Sequence, residues 1–286
     1  MKANEIQMRD PFVLVENGTY YLYGSTDPDI WSMGGGFEMY TSRDLENFEG
    51  PFNVFTPPTD FWGTKQFWAP EVYKYKGKYY MFATFFREGV TRGTMILTAD
   101  SPFGAFVPLT NVPITPIEWR CLDGTFYVEN GIPYIVFCRE YRSLESFDGE
   151  MYLQRLSDDL RAPIGKPKFL FSASQAPWTK AQRWSSCPSP CYVTDGPFLY
   201  KGKNRLYLLW SSFANGYAIT AAYSDNILGE WTQYDRPIRE GNCGHGMVFK
   251  DLKGNLRLTV HTPNNTPCER PIFLMLKEDE FLHLEQ

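Results

Sequence analysis

One pattern recurs five times along the 286 residues of this chain. In each copy a charged or His residue stands beside Pro or Gly, an apolar strand follows, and a short turn leads into a second apolar strand, most often with Tyr. The copies are anchored at Asp10, Glu71, Asp123, Asp195 and His245. Their spacing, roughly 50 to 70 residues, is typical of four-stranded propeller blades. The sequence therefore predicts an all-β, five-bladed β-propeller.

A second hairpin is visible within three of the copies. Segments 38–51, 94–106 and 218–231 share a strand, a Ser or Ala followed within two residues by Asp, a turn, and an aromatic residue. The first hairpin of each copy has a suitable turn between its two strands, such as Asn17-Gly18 or Asn130-Gly131. Because no linker or change of composition marks a boundary, residues 1–286 are predicted to form one propeller domain.

Composition limits the partners and the location of the protein. The net charge of −5 argues against binding to nucleic acid or to anionic membranes. No segment reaches the roughly 18 apolar residues of a membrane helix, and the first residues lack the apolar core of a signal peptide. We therefore expect a cytoplasmic protein, or a secreted or periplasmic one if a signal has been removed. The six cysteines are predicted to be free thiols.

The repeat also predicts a functional site. The inner strands of a propeller run along its axis, so residues that start these strands point toward the axis near one mouth. Asp10, Glu71, Asp123, Asp195 and His245 are therefore expected to meet there. Burying several carboxyl groups together is costly, which favours a chemical role over a structural one.

Paired carboxyl groups are the minimum requirement for hydrolysis of a glycosidic bond. One, kept protonated, donates to the leaving oxygen, and the other, kept ionised, takes a proton from water. A third carboxylate nearby raises the pKa of the acid by repulsion between like charges. Asp-Gly and Asp-Pro also form ordinary turns, but three acids at one repeat register are difficult to explain as independent turns.

The ordered motifs of this chain resemble those of glycoside hydrolase family 43, over essentially its whole length. They are Arg9-Asp10-Pro11, Trp68-Ala69-Pro70-Glu71, Leu122-Asp123-Gly124, Asp195-Gly196-Pro197 and Gly244-His245-Gly246. The resemblance implies a five-bladed catalytic domain that acts on arabinose- and xylose-containing glycans with inversion.

The same resemblance implies residue roles. Asp10 resembles the general base that activates water, and Asp123 the carboxylate that tunes the pKa of the acid. Asp195 falls at the position of the general acid, and His245 matches a residue beside a central water or metal, often calcium. We therefore expect no required cofactor, with a structural calcium near His245 as the one candidate.

The sequence departs from the family pattern at the acid, which is usually Glu. Asp195 is one methylene shorter, and a misplacement of about 1 Å can cost about 100-fold in rate. Three explanations for the shorter acid are open. The local backbone compensates for the missing methylene, the substrate sits deeper in the cavity, or the chain is a weak enzyme or a non-catalytic sugar binder. Glu71 is an alternative acid, although its family counterpart mostly supports the site.

Substrate contacts are predicted from the register of the inner strands. Phe12, Trp68 or its neighbour Phe67, Phe126 and Trp210 are candidate sugar platforms, and Glu71 is a further candidate for binding substrate. Trp31 and Trp184 lie in loops that can form the rim, and Arg270 is a candidate partner for a carboxylate. Each aromatic residue suits the core equally well.

The leading functional hypothesis is an exo-acting α-L-arabinofuranosidase, with an oligosaccharide or polysaccharide as the partner. Endo-arabinanase, β-xylosidase and galactosidase or galactofuranosidase activities stay open. A non-catalytic glycan-binding propeller is the alternative from another class. A phosphorylase ranks lower, because few basic residues stand at the inner-strand starts to hold phosphate, and a protein scaffold would not need acids at the axis. The sequence leaves the oligomeric state open.

Overall fold

The protein consists of five antiparallel sheets of four strands each, in a computed structural model that describes residues 1–31, 34–185, 187 and 189–285. Each sheet is built from consecutive strands. Blade 1 contains β1 (Arg9–Glu16), β2 (Thr19–Ser25), β3 (Phe37–Ser42) and β4 (Phe48–Phe55). Blade 2 contains β5 (Lys65–Tyr75), β6 (Lys78–Arg87), β7 (Thr91–Ala99) and β8 (Val107–Pro108).

The other three blades repeat this order. Blade 3 contains β9 (Cys121–Glu129), β10 (Ile132–Arg139), β11 (Glu150–Leu156) and β12 (Pro163–Ser172). Blade 4 contains β13 (Asp195–Lys201), β14 (Leu206–Ala214), β15 (Gly216–Ser224) and β16 (Thr232–Gln233). Blade 5 contains β17 (Gly244–Lys250), β18 (Leu256–Thr262), β19 (Arg270–Glu278) and β20 (Leu282–Leu284). In the part of the chain that the structure describes, short 3₁₀ helices span Ala3–Glu5, Tyr141–Ser143 and Ala173–Gln175.

The blades form a closed ring around an axis. The inner strands β1, β5, β9, β13 and β17 contact one another in turn, and β17 contacts β1. The predicted all-β, five-bladed β-propeller is therefore confirmed. Among the residues described, no helix has the length and apolar character needed to cross a membrane.

The ring closes between the first and last blades without a shared sheet. The backbone N–H of Met8 donates to the carbonyl of Glu269 at 3.1 Å, and Arg9 Nη1 lies 2.7 Å from Glu269 Oε1. The Glu269 side chain is fully buried. A buried ion pair at this seam is valuable mainly because loss of one partner would leave the other charge unpaired.

A bulge near the start of every inner strand positions the site. At each bulge one residue adopts the left-handed backbone region, and Pro or Gly follows it. These residues are Asp10, Ala69, Asp123, Gly196 and His245, with φ between 44° and 55°. The strand register shifts at the same five places.

Each bulge is locked to the blade before it. The N–H of every left-handed residue donates to a side chain of the preceding blade: His261, Ser25, Thr84, Asp123 and Ser211, in blade order. The strained backbone is thus held by five equivalent hydrogen bonds around the mouth.

Candidate active site

A cavity of about 280 Å³ opens at this mouth of the propeller. Its walls include Asp10, Asp123, Asp195 and His245, each from a different blade. The predicted convergence is therefore correct for four of the five anchor residues.

Glu71 is the exception, and the prediction that it joins the other four is wrong. The bulges show that Ala69 is the equivalent of Asp10 and Asp123, so Glu71 lies two residues farther along its strand. Its carboxylate is buried away from the cavity and accepts a hydrogen bond from Tyr73 Oη at 2.6 Å. Burial raises the pKa of Glu71 to about 8, with a smaller contribution from the charge of Asp123.

Asp10 is held as an anion by its surroundings. Ser25 Oγ donates to Oδ2 at 2.6 Å, and His245 Nδ1 lies 3.1 Å from Oδ1. Burial by itself would raise the pKa of this carboxyl group, but His245, Arg9 and the Ser25 hydrogen bond together hold the pKa below its usual value. Asp10 is therefore ionised at neutral pH.

Asp123 accepts a hydrogen bond from the backbone next to Asp195. Its Oδ2 accepts the Gly196 N–H at 3.1 Å and lies 3.8 Å from His245 Nδ1. Burial raises the pKa of Asp123; His245 works against this shift, and the negative charge of Asp10 adds to it. Asp123 thus fixes the position of the chain next to Asp195 as well as the electrostatic environment.

Asp195 occupies a different register from the other two acids. It precedes the left-handed Gly196 by one residue and is therefore equivalent to Arg9 and Trp68 in the first two blades. Burial, followed by the charges of Asp123 and Asp10, raises its pKa well above the usual range. Tyr217 Oη donates to Asp195 Oδ2 at 3.2 Å. Of the three Asp side chains in this cavity, Asp195 therefore favours the protonated form most strongly.

A buried histidine, His261, connects Tyr217 with the backbone of Asp10. The ring of His261 is stacked with that of Tyr217, with centroids 5.8 Å apart, and its Nδ1 accepts the Asp10 N–H at 3.1 Å. Burial lowers the pKa of His261 to about 3, so the ring is neutral. Since Nδ1 accepts, Nε2 carries the proton and donates to Asn264 Oδ1.

Three of the predicted sugar platforms belong to the core instead. Phe12 and Phe126 are about 5% exposed or less, and Trp210 is fully buried. Phe126 stacks on Phe82, while Trp210 packs against Trp178. These predictions are wrong because Phe12 and Phe126 lie on inner strands beyond the bulge and Trp210 lies on β14, and all three side chains pack in the core.

Trp68 does line the cavity, as predicted, and so do the rim residues Trp31 and Trp184. Trp31 meets Trp68 edge-to-face at 5.2 Å, and Trp184 meets Phe213 edge-to-face at 5.5 Å. Two pairs of aromatic rings therefore flank the acids.

Arg270 does not face the site. Its Nε donates to the carbonyl of Asn4 at 3.0 Å and its Nη1 to that of Glu269 at 2.7 Å, so it ties the N-terminal segment to blade 5. The guanidinium groups at the cavity belong to Arg9, Arg92 and Arg142. Sequence reasoning missed Arg92 and Arg142, because they lie outside the inner strands on which the repeat is based.

The calcium ion predicted near His245 would need ligands from the residues around this histidine. Calcium takes six to eight oxygen ligands, whereas His245 directs a ring nitrogen toward Asp10 and Asp123. Within the described ranges, no three His, Cys, Asp or Glu side chains are grouped as metal ligands. The residues therefore do not fit a calcium site.

An ionised and a protonated carboxyl group that share one cavity form the arrangement used by glycoside hydrolases. The sequence model of one such family, Glycosyl hydrolases family 43, matches residues 4–275, and the chain belongs to this family. Members of the family hydrolyse O-glycosyl bonds.

Several proteins are similar to this chain. The crystal structure of an endo-arabinase from Bacteroides thetaiotaomicron superposes with a TM-score of 0.89 at 41% identity, covering 98% of both chains. The extracellular exo-α-(1→5)-L-arabinofuranosidase ArbA of Cellvibrio japonicus is 23% identical over 89% of this chain and 74% of its own length. A xylosidase/arabinosidase of Bacteroides ovatus is 28% identical over 89% and 85%, respectively.

Proposed function

We propose that the protein is an inverting glycosidase that releases terminal α-L-arabinofuranosyl units from a glycan. The observation that carries this proposal is the separation of two pKa values within one cavity, lowered at Asp10 and raised well above the usual range at Asp195. The arabinose-directed names of the similar proteins support the choice of sugar.

In the proposed reaction Asp195 is the general acid and Asp10 the general base. Asp195 gives its proton to the glycosidic oxygen as the bond from this oxygen to the anomeric carbon breaks. A water molecule attacks that carbon from the opposite face and passes one proton to Asp10, so the product has the inverted configuration. Return of a proton from Asp10 to Asp195 through solvent restores the enzyme.

The remaining contacts orient these two groups. Because Asp195 Oδ2 accepts from Tyr217, the transferable proton belongs on Oδ1. Asp123 holds the Gly196 N–H and adds negative charge near Asp195, which opposes early loss of the proton. The Tyr217 contact and the displaced register together supply a defined position for an acid that is one methylene shorter than the family's usual Glu.

Endo-acting arabinanase activity is the second candidate, since the endo-arabinase structure is 41% identical over nearly the whole chain. The cavity, at about 280 Å³, lies at the small end of the range for ligand sites. This size favours a single terminal unit and therefore exo action. Release of arabinose alone from a linear α-(1→5)-arabinan supports exo action, whereas a ladder of oligosaccharides supports endo action.

A panel of nitrophenyl glycosides tests the proposal. We expect turnover on the α-L-arabinofuranoside, a loss of at least about 100-fold in Asp10→Asn, and first formation of the inverted sugar by proton NMR. A first product with retained configuration would overturn the mechanism. Glycan binding without turnover of any glycoside would instead indicate a non-catalytic binding propeller, in which Asp195→Ala leaves binding intact.

A further inference from the structure

Three arginines share a single carboxylate beside the cavity. Arg92 Nη1 and Arg120 Nε each lie 2.6 Å from Glu140 Oε2, the latter contact without hydrogen-bond geometry, and Arg142 Nε lies 3.7 Å from Oε1. Arg92, Glu140 and Arg142 also line the cavity that contains the three acids. We call Arg92, Arg120 and Arg142 the arginine wall. The arginine wall brings positive charge to a cavity that also contains Asp10, Asp123 and Asp195.

Arg92 is the most buried member of this wall. It is 2% exposed, its guanidinium lies 4.4 Å from the ring centroid of Trp68, and its Nη2 donates to Gln66 Oε1 at 2.6 Å. Its Nε is buried and has no hydrogen-bond partner within the described part of the chain. Both Nη atoms of Arg92 are engaged, by Glu140 and by Gln66. Arg92 therefore offers its positive charge, and not a free pair of donors, to an anion in the cavity.

An oxyanion is the acceptor that suits this surface. A guanidinium attracts a carboxylate or phosphate group, and a side chain that stacking already holds in place loses little entropy when a ligand binds. Trp68 and Trp31 stand next to Arg92 and offer aromatic surface to a sugar ring. A sugar that carries its own negative charge would use both features.

We propose that the arginine wall binds the carboxylate of a uronic acid in the glycan on which the enzyme acts. This inference rests on the proposed glycosidase function and specifies its substrate as an acidic glycan. Inorganic phosphate has the same oxyanion chemistry, but a phosphorolytic enzyme has no need to activate water. An ionised base at Asp10, hydrogen-bonded by Ser25, therefore favours the sugar carboxylate.

The test compares sugars that differ only at C6, so it does not depend on turnover. NMR titration of the wild-type protein with D-galacturonate and D-galactose, and with D-glucuronate and D-glucose, gives a ratio of dissociation constants. We expect uronates to bind on the order of 10-fold more tightly, as for a charge-assisted hydrogen bond, and the difference to decrease with added salt.

Two variants locate the effect. Arg92→Met is expected to remove the preference for uronates. Arg139→Met is the matched control, because Arg139 also stacks on a tryptophan at 4.4 Å and pairs with a glutamate, Glu150, but does not line the cavity. The control should keep the preference. If circular dichroism shows that Arg92→Met is unfolded, Arg142→Gln replaces it with the same expected loss.

Three results would overturn the inference. One is equal binding of uronates and neutral sugars by the wild-type protein, and another is an unchanged preference in a folded Arg92→Met or Arg142→Gln. The third is inorganic phosphate binding more tightly than either uronate, with turnover that depends on phosphate. Because binding is measured directly, a lack of hydrolysis on glycosides would count against the proposed function and leave this test intact.

Discussion

Tyr217 provides a sharp test of how the short acid is positioned. In Tyr217→Phe the hydroxyl that donates to Asp195 Oδ2 at 3.2 Å is removed, while the ring that stacks on His261 stays. That hydrogen bond favours the ionised carboxylate and so lowers the pKa of Asp195. A buried hydrogen bond to a charged group contributes about 1.5 kcal/mol or more, which corresponds to about one pH unit.

The pH dependence of kcat/KM gives the sign of this effect. Asp195 acts only while protonated, so activity is lost as pH rises through its pKa. We expect the alkaline limb in Tyr217→Phe to move upward by about one pH unit, and kcat at the optimum to fall about 10-fold because the carboxyl group is less well oriented. Initial rates from pH 4 to 10 on an aryl glycoside measure both.

Tyr152→Phe is the matched control, since Tyr152 Oη donates to the carboxylate of Glu150 at 3.0 Å outside the cavity. It should leave the profile unchanged. An alkaline limb that stays in place or moves downward in Tyr217→Phe, or a change confined to KM, would refute the role given to Tyr217.

Three further predictions follow from buried groups. Burial raises the pKa of Glu71 from 4.5 to about 8. The folded state therefore becomes less stable as pH rises from about 4.5 to 8, by at most about 5 kcal/mol. Glu71→Gln should unfold at a higher urea concentration than wild type at pH 9 but not at pH 4, and an equal pH dependence of the two proteins would contradict this. In Gly196→Ala a methyl group would lie 2.7 Å from the His245 ring at a φ of 52°, so we expect a folded protein with activity reduced at least about 10-fold, and wild-type rates would show that the bulge tolerates a side chain. Glu269→Gln removes the negative charge that lies 2.7 Å from Arg9 Nη1. This change should lower the free energy of unfolding by roughly 3 kcal/mol, whereas loss of less than about 0.5 kcal/mol would show that the seam does not depend on the pair.

Much of the fold could be predicted from the sequence, because the repeat carries both the strands and the turns. The sequence also predicted that Asp10, Asp123 and His245 lie at the mouth of the propeller, since each stands directly before Pro or Gly at the start of an inner strand. In these three blades the polar residue and the left-handed residue are the same, so the polar repeat and the backbone repeat coincide.

The other two blades show why the polar pattern alone misleads. In blade 2 the left-handed residue is Ala69 and in blade 4 it is Gly196, neither of which has a polar side chain. Alignment by charge therefore assigned Glu71 and Asp195 to the same register, although one lies beyond the bulge and the other before it. The shared signal was a small or polar residue followed by Pro or Gly, as in Ala69-Pro70 and Gly196-Pro197.

Arg92 could not be recognised from the sequence for a different reason. It lies on β7, the third strand of its blade, and reaches the cavity only because the neighbouring blade supplies Glu140 and β5 supplies Gln66 and Trp68. Contacts of this kind depend on how blades pack against one another, which a repeat along one chain does not encode.

The division of labour between Asp195 and Asp10 is tested most directly by leaving-group dependence. Rates of Asp195→Ala and Asp10→Asn are compared on a 2,4-dinitrophenyl glycoside, whose leaving group needs no proton, and on the corresponding unactivated alkyl glycoside. We predict that Asp195→Ala loses about 100-fold or more on the alkyl glycoside only, while Asp10→Asn loses this much on both. Equal losses on the two substrates in Asp195→Ala would contradict the assignment of Asp195 as the acid.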